Sequence, residues 1–241
     1  MDQALVRQLA SELSGYGIDV REEQAILLVR YLDLVIEKNK VVNLTRITQP
    51  SEAVTLHLVD SILPLASDCL HLDEEASLLD MGTGAGFPGV PIAVLTGARS
   101  TLVDSVRKKT DAVSEFVHEL GIENVIARHA RLEDLAREMP ASQDVVFARA
   151  LARTNILMEY ATPFLRKNGL LVVEKARPDD DELREAQRAA RICGLKLVSR
   201  ETYELPHQLG HREILFYQKV RAASIKLPRR IGLARSQPLG L

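Results

Sequence analysis

The sequence predicts an α/β fold, a mostly parallel sheet covered by helices on both faces, behind an N-terminal region that is helical. Three observations carry this. From Ala76 onward, short runs rich in Val, Ile and Leu alternate with segments of helical period. Those runs read as apolar on both faces, as strands between two helical layers must be. Directly after the first run comes a loop with glycines at 82, 84, 86 and 89, placed where open α/β sheets bind ligands.

Composition agrees. At 241 residues, 46% hydrophobic and 27% charged, the chain can bury a substantial core and is not a disordered polymer. No apolar run approaches the roughly 20 residues a bilayer-spanning helix needs. The start, MDQALVRQLASEL, carries acids and lacks a continuous apolar stretch, so it does not read as a secretory signal. A cytoplasmic protein without a membrane partner is expected, and the sequence sets no oligomeric state. Cys69 and Cys193 belong to no CxxC or His-Cys cluster, so buried thiols and no metal are expected.

The elements follow in order. Leu5, Leu9 and Leu13 recur every fourth residue before Gly15 and Gly17; Ala25, Leu28, Val29, Leu32 and Val35 stripe a helix over 22–38. A third helical stretch, 50–70, carries Leu56, Val59 and Leu63. Strands are predicted at 77–81, 100–104, 124–128, 144–149, 169–175, 195–200 and 213–219. A helix over 107–120 joins Val113, Phe116, Val117 and Leu120 on one face and stops at Gly121. The last two strands lack a convincing helix between them, which allows one to run antiparallel. The chain thus divides into a helical N-terminal region (residues 1–75), an α/β domain (76–220) and a basic tail (221–241). Segment 218–241 carries +6, while the remainder has 25 basic against 33 acidic residues, −8. Such a tail suits a polyanion or serves solubility.

The loop LDMGTGAGFPG (79–89) fits two registers. Gly84, Gly86 and Gly89 spell G-x-G-x-x-G, the dinucleotide pattern, which alone is a weak signal; an NAD-dependent oxidoreductase is the corresponding reading. Asp80, Gly82, Gly84 and Gly86 spell D-x-G-x-G-x-G, suited to a ligand with a cationic amino-acid end such as S-adenosylmethionine. Pro88 and Pro91 are expected to interrupt the helix a dinucleotide needs at its phosphates. Asp104, ending the second strand, can accept from both ribose hydroxyls of either cofactor, or cap the helix beginning near Val106. After the third strand, Glu133 can accept from an adenine amino group while Leu132 packs on the ring; a solvated Glu133-Asp134 pair is the plainer alternative. Arg149 and Arg153 follow the fourth strand and suit a carboxylate, a phosphate or a surface ion pair. Asn43–Thr45 and the 57–61 segment place polar residues within apolar helices. His57 and Asp60, three apart, share a helix face and can hydrogen-bond.

Taken together, NLTRI (43–47), HLVDS (57–61), LLDMGTGAGFPGVPIA (78–93), LVDS (102–105), HELGIENV (118–125), RLED (131–134), ARA (148–150) and PRRIG (228–232) with PL (238–239) make the chain resemble one family. It is the RsmG (also GidB) type of 16S rRNA guanine-N7 methyltransferase. The resemblance implies a class I methyltransferase fold, Rossmann-like, with seven strands and the last antiparallel. It implies S-adenosyl-L-methionine as cofactor and a guanine of 16S rRNA, in the small ribosomal subunit, as substrate. By position the cofactor contacts fall on Gly82, Gly84, Phe87, Leu132, Glu133 and Arg149, with Asp104 added from the ribose argument. Arg149, Lys175 and His57 are candidate substrate holders, and the basic residues of 219–235 candidate phosphate contacts. Guanine N7 has a lone pair and no proton, so no general base is expected and no metal is needed. Departures from the family pattern occur at Lys38, where a tryptophan is common, at Ala176 for a glycine, at His211 and Glu213 within an otherwise GERH-like string, and at Ser236-Gln237 for a lysine pair. A small-molecule methyltransferase on the same fold, or an RNA-binding protein with an inactive pocket, are the competing readings.

Overall fold

The computed structural model describes residues 2–241. Seven strands form one sheet: β1 (Ser77–Met81), β2 (Arg99–Asp104), β3 (Val125–His129), β4 (Gln143–Arg149), β5 (Leu165–Lys175), β6 (Leu195–Glu204) and β7 (His211–Lys219). Their spatial order is β3-β2-β1-β4-β5-β7-β6. β1 pairs in parallel with both β2 and β4, so the winding reverses between β1 and β4 and opens a crevice at their carboxyl ends. β7 is antiparallel to β5 and to β6, as the short connection between the last two strands allows.

The helices are α1 (Gln3–Ser14), α2 (Glu22–Lys38), α3 (Pro50–Ala53), α4 (Asp60–Ile62), α5 (Gly89–Thr96), α6 (Arg107–Glu119), α7 (Leu132–Glu138), α8 (Thr154–Ala161), α9 (Asp180–Cys193) and α10 (Leu233–Ser236). A π-helical stretch, Val54–Val59, links α3 to α4, and a 3-10 turn, Leu63–Ala66, follows. The strand alternation sorts the core into two faces. Leu78, Val145, Phe147, Val172, Ile214 and Phe216 point to the side of Leu63 and Ile92. Leu79, Met81, Val146, Ala148, Val173 and Leu215 point to the side of α8 and α9. The helical N-terminal residues bury Leu9, Leu13, Leu28, Tyr31 and Leu58 in one cluster with Phe87 and Phe116, joining them to the α5–α6 side.

Residues 221–241 lie against α8 and α9. Arg229 forks onto buried Glu159 (2.7 Å from Nε to Oε1), Asn155 Nδ2 donates to the Leu239 carbonyl (2.9 Å), and Ala234 is buried. A bidentate charge-assisted pair is geometrically demanding and fixes this segment's path.

Four expectations need correction. β3 and β6 are edge strands with mostly exposed or half-buried residues, so they are not apolar on both faces; one side of an edge strand has no neighbour to cover it. Asn43–Thr45 lie in the loop after α2, not in a helix, because Asn39 Oδ1 accepts from the Leu44 and Thr45 amides (2.8 and 2.9 Å) and turns the chain there. Cys69 is exposed, and only Cys193 is a buried thiol. Pro88 and Pro91 do not interrupt a helix: α5 begins at Gly89, and Pro91 falls in its first turn, where an amide would lack an intrahelical acceptor anyway.

Phe147 is fully buried at the centre of the sheet. Phe147→Ala is expected to lower unfolding free energy by about 3–5 kcal/mol, read as a reduced urea midpoint with an unchanged m-value.

Candidate active site

The crevice at the reversal point holds two adjoining cavities. One, of about 380 Å³, is lined by Gly82, Asp104, Leu132 and Glu133, with Gly232 and Arg235 from the C-terminal segment. The other, of about 430 Å³, is lined by His57, Asp60, Arg149, Glu174, Lys175 and Arg212, with Ala176 beside them. Ala150, immediately after β4, belongs to both walls.

The glycine loop is held from beneath. Asp80 is fully buried; its Oδ2 accepts from Thr83 Oγ1 (2.6 Å) and from the Gly89 amide (3.0 Å). Burial pushes its pKa up to about 6, against the lowering effect of those two donors. The carboxylate therefore serves the turn and lines neither cavity. It also takes a first-turn amide of α5, so the dinucleotide register does not present that helix N-terminus to a phosphate. From above, Tyr31 of α2 donates to the Ala85 carbonyl (2.8 Å). A Cβ on Gly86, at φ +87°, would lie 2.1 Å from the Tyr31 hydroxyl. Gly82, at φ +72°, faces Leu151, whose Cδ1 would be 2.7 Å from an added Cβ.

Asp104 is held by two amides, Oδ1 by Val106 (2.8 Å) and Oδ2 by Gly84 (3.1 Å). It does not cap α6, whose N-cap is Val106 with no side-chain cap bond, but turns the chain toward that helix, and it still has lone pairs for a ligand in the cavity it lines. Glu133 is buried, and its Oε1 accepts from the Gly232 amide (2.9 Å). Among the described residues no hydrogen bond reaches its other oxygen. Asp134 pairs with Arg137 at the surface, so the two acids do not act alike.

On the second cavity's side the sheet face turns from apolar to charged. Following the alternation of that face, Leu78 leads to Asp80, Phe147 to Arg149, Val172 to Glu174 and Ile214 to Arg212. The π-helical stretch covers this end. Asp60 accepts from Arg149 (3.2 Å, Oδ2) and Arg212 (2.7 Å, Oδ1), one acid between two guanidiniums. His57 does not bond Asp60, as its spacing had allowed; the widened turn aims it elsewhere. Its ring stacks on Phe87 (4.7 Å between centroids, 3° apart) and its Nε2 meets Thr45 Oγ1 at 2.7 Å. Arg149 lies over the same Phe87 ring at 5.8 Å. Burial, then the Arg149 charge, lowers the His57 pKa to about 4, so the ring is neutral at pH 7. Lys175 donates to the Ala152 carbonyl and pairs with Glu182, both at 2.7 Å.

Of the predicted residues, Gly82, Asp104, Leu132 and Glu133 meet in the first cavity and His57, Arg149 and Lys175 in the second. Gly84 and Phe87 line neither; they act through Asp104 and through His57 and Arg149. Arg153 is a surface residue paired with Glu185 and Asp179. Among the expected phosphate contacts, Lys219 donates to the carbonyls of Thr162 and Leu165, and Arg229 is committed to Glu159, whereas Lys226, Arg230 and Arg235 are exposed. Of the departures, Lys38 pairs with Glu115, His211 meets Glu204 (2.6 Å), and Glu213 accepts from Arg200 (2.7 Å). Sequence reasoning passed over Glu174 and Arg212 and read Asp60 only as a partner for His57, not for the two arginines; carrying the strands' two-residue period past the apolar run would have found the first two. Among the described residues no cluster of His, Cys, Asp and Glu suits a metal ion, and no helix is long and apolar enough to cross a membrane.

Because His57 is neutral when folded but protonates below about pH 6.5 once unfolded, its contribution to stability is lost as pH falls from 6.5 toward 4. In urea titrations across that range, the stability of the parent minus that of His57→Phe is expected to rise with pH and to level off above about 6.5.

Comparison with known proteins places these features in one group. Residues 24–210 match the family described as GidB, rRNA small subunit methyltransferase G. Ribosomal RNA small subunit methyltransferase G of Lactobacillus johnsonii is 37% identical over 95% of this chain and 98% of its own. The protein of that name from Lactococcus lactis is 35% identical over 96% and 98%, and that from Carboxydothermus hydrogenoformans 33% over 96% and 99%. Among solved structures, the [4+2]-cyclase SpnF superposes with a TM-score of 0.56 at 13% identity, covering 82% of this chain and 96% of that one. A sarcosine dimethylglycine methyltransferase assigned in Galdieria sulphuraria gives 0.54 at 12%, covering 71% and 88%. At such low identity these structures support the fold alone, the class I methyltransferase sheet with its antiparallel β7. With the glycine loop, Asp104 and HLVDS in place and the sequence match running nearly end to end, the chain belongs to the rRNA small subunit methyltransferase G (GidB) family.

Proposed function

We propose that this protein methylates N7 of a guanine in 16S rRNA of the small ribosomal subunit, with S-adenosyl-L-methionine as donor. The observation that carries this reading is the pair of cavities meeting at Ala150, one lined by acids suited to a nucleoside and one by arginines.

The first cavity fits the cofactor by its donor set. Asp104 has lone pairs for ribose hydroxyls, the second oxygen of Glu133 has capacity for an adenine amino group, and Leu132 offers an apolar surface to the ring. Gly82 keeps the loop clear of side chains there, while Gly84 and Phe87 contribute by fixing Asp104, His57 and Arg149. Held by Asp104, Glu133 and Leu132, the cofactor would supply an electrophilic sulfonium methyl for N7 and a neutral thioether as leaving group.

This chain's residues contribute alignment and charge rather than proton transfer, since N7 gives up no proton and His57, its pKa lowered to about 4, is a poor proton acceptor at pH 7. Arg149, tethered to Asp60 and to the Leu56 carbonyl, keeps a fixed orientation toward the second cavity. Lys175 holds the Ala152 carbonyl and with it the wall next to Ala150. In this reading 76–220 is the catalytic domain, the helical N-terminal region (residues 1–75) roofs the substrate cavity, and Lys226, Arg230 and Arg235 of 221–241 contact RNA phosphates. Such contacts weaken steeply with salt.

The reading is tested by transfer of a labelled methyl to small ribosomal subunits and their isolated RNA, followed by mass mapping of the modified base. A single 7-methylguanine is expected, and a product on another base or none at all would refute it. Asp104→Ala is expected to weaken S-adenosylmethionine binding by roughly 10- to 100-fold in calorimetry, the scale of one or two lost charge-assisted hydrogen bonds.

A further inference from the structure

The substrate cavity contains an acid with nothing to bind. Glu174, near the end of β5, is 3% exposed, and both its carboxylate oxygens are buried without a hydrogen-bond partner. The other charged groups lining that cavity are occupied: Arg149 and Arg212 by Asp60, and Lys175 by Glu182 and the Ala152 carbonyl. An unsatisfied buried acceptor is costly, more so when charged, and native interiors rarely keep one without a use. The acid lines the same cavity as Arg149, Arg212 and Asp60. Burial raises its pKa well above the usual carboxylate range, the neighbouring arginines opposing the shift; adjacent N–H donors from a ligand would favour the ionised form.

We propose that Glu174 is the residue that selects guanine, its two oxygens accepting from the N1–H and the 2-amino group of the base. The inference rests on the guanine-N7 reading above and names how that base is recognised. A carboxylate pairs with two neighbouring N–H donors, and guanine alone among the four RNA bases presents them side by side on its Watson–Crick edge. Adenine would place its N1 lone pair against the carboxylate, and cytosine its N3 lone pair; uracil offers a single N–H flanked by carbonyls. N7 lies on the opposite side of the purine from that edge. A base held by Glu174 deep in the cavity therefore turns N7 outward, the orientation transfer at the Ala150 junction requires. Glu174 acts by contact with substrate and not by proton transfer.

The test uses the full-length protein and small-subunit RNA ligated to carry either guanine or inosine at the methylated position. Inosine keeps N7 and N1–H but lacks the 2-amino group. The parent protein is expected to lose about 10- to 100-fold in kcat/KM on inosine, the penalty for leaving one buried charged acceptor unpaired. Glu174→Gln and Glu174→Leu should each lower kcat/KM on guanine by at least about 10-fold and bring the guanine-to-inosine ratio to within about 3. Their affinity for S-adenosylmethionine and their urea midpoints should not fall, since removing a buried unpaired acid does not weaken the fold. Equal use of the two RNAs by the parent, full activity of Glu174→Gln, or lower activity with an unchanged ratio would overturn the assignment. If the parent methylates no guanine-bearing RNA, the guanine-N7 reading itself falls, and this inference with it.

Discussion

Asp80, next to last in β1, has a carboxylate with no access to water that accepts hydrogen bonds from Thr83 and from the first residue of α5. Those contacts force the chain to leave the strand, reverse through three glycines and enter the helix within one short loop. The other supports arrive on this frame. Asp104, from the neighbouring strand, grips the Gly84 amide, and Tyr31, from the N-terminal helices, grips the Ala85 carbonyl. Gly86 has no side chain because the Tyr31 hydroxyl occupies that space. The loop is therefore a junction of β1, β2, α2 and α5, and a ligand cleft beside it inherits that rigidity. The desolvation that raises the Asp80 pKa opposes the arrangement, and two oriented donors offset only part of it.

The second constraint is the ion cluster at the carboxyl edge. Two guanidiniums share one acid in a region with little water, Asp60 accepting from both Arg149 and Arg212. Its position depends on the π-helical stretch, whose wider turn also sends His57 onto Phe87 instead of toward Asp60. Arg149 and His57 clasp the same aromatic ring from the glycine loop. The N-terminal helices thus reach the catalytic edge of the sheet through packing as much as through charge.

Much of this was legible in the residues. All seven strands and the helices α1, α2 and α6 follow from apolar runs, 3.6-residue periodicity and the glycines, and the lack of a helix between the last two strands allowed an antiparallel one, whereas α9 was not singled out. Gly82 and Asp104 stand together because strand ends β1 and β2 are neighbours, which alternation of strands and helices already implied. What stayed hidden depends on partners distant in sequence. Nothing local to Glu133 announces Gly232, and nothing near Asp80 says that its acid faces inward. The exposed flanks of β3 and β6 were invisible for the same reason, because which strand lies at an edge is a property of the whole sheet.

Ala150 holds a left-handed backbone conformation, φ +53°, at the partition between the two cavities. A partition common to two chambers makes their tenants thermodynamic neighbours: any free energy one occupant spends in moving it is felt by the other, in equal amount and whichever enters first.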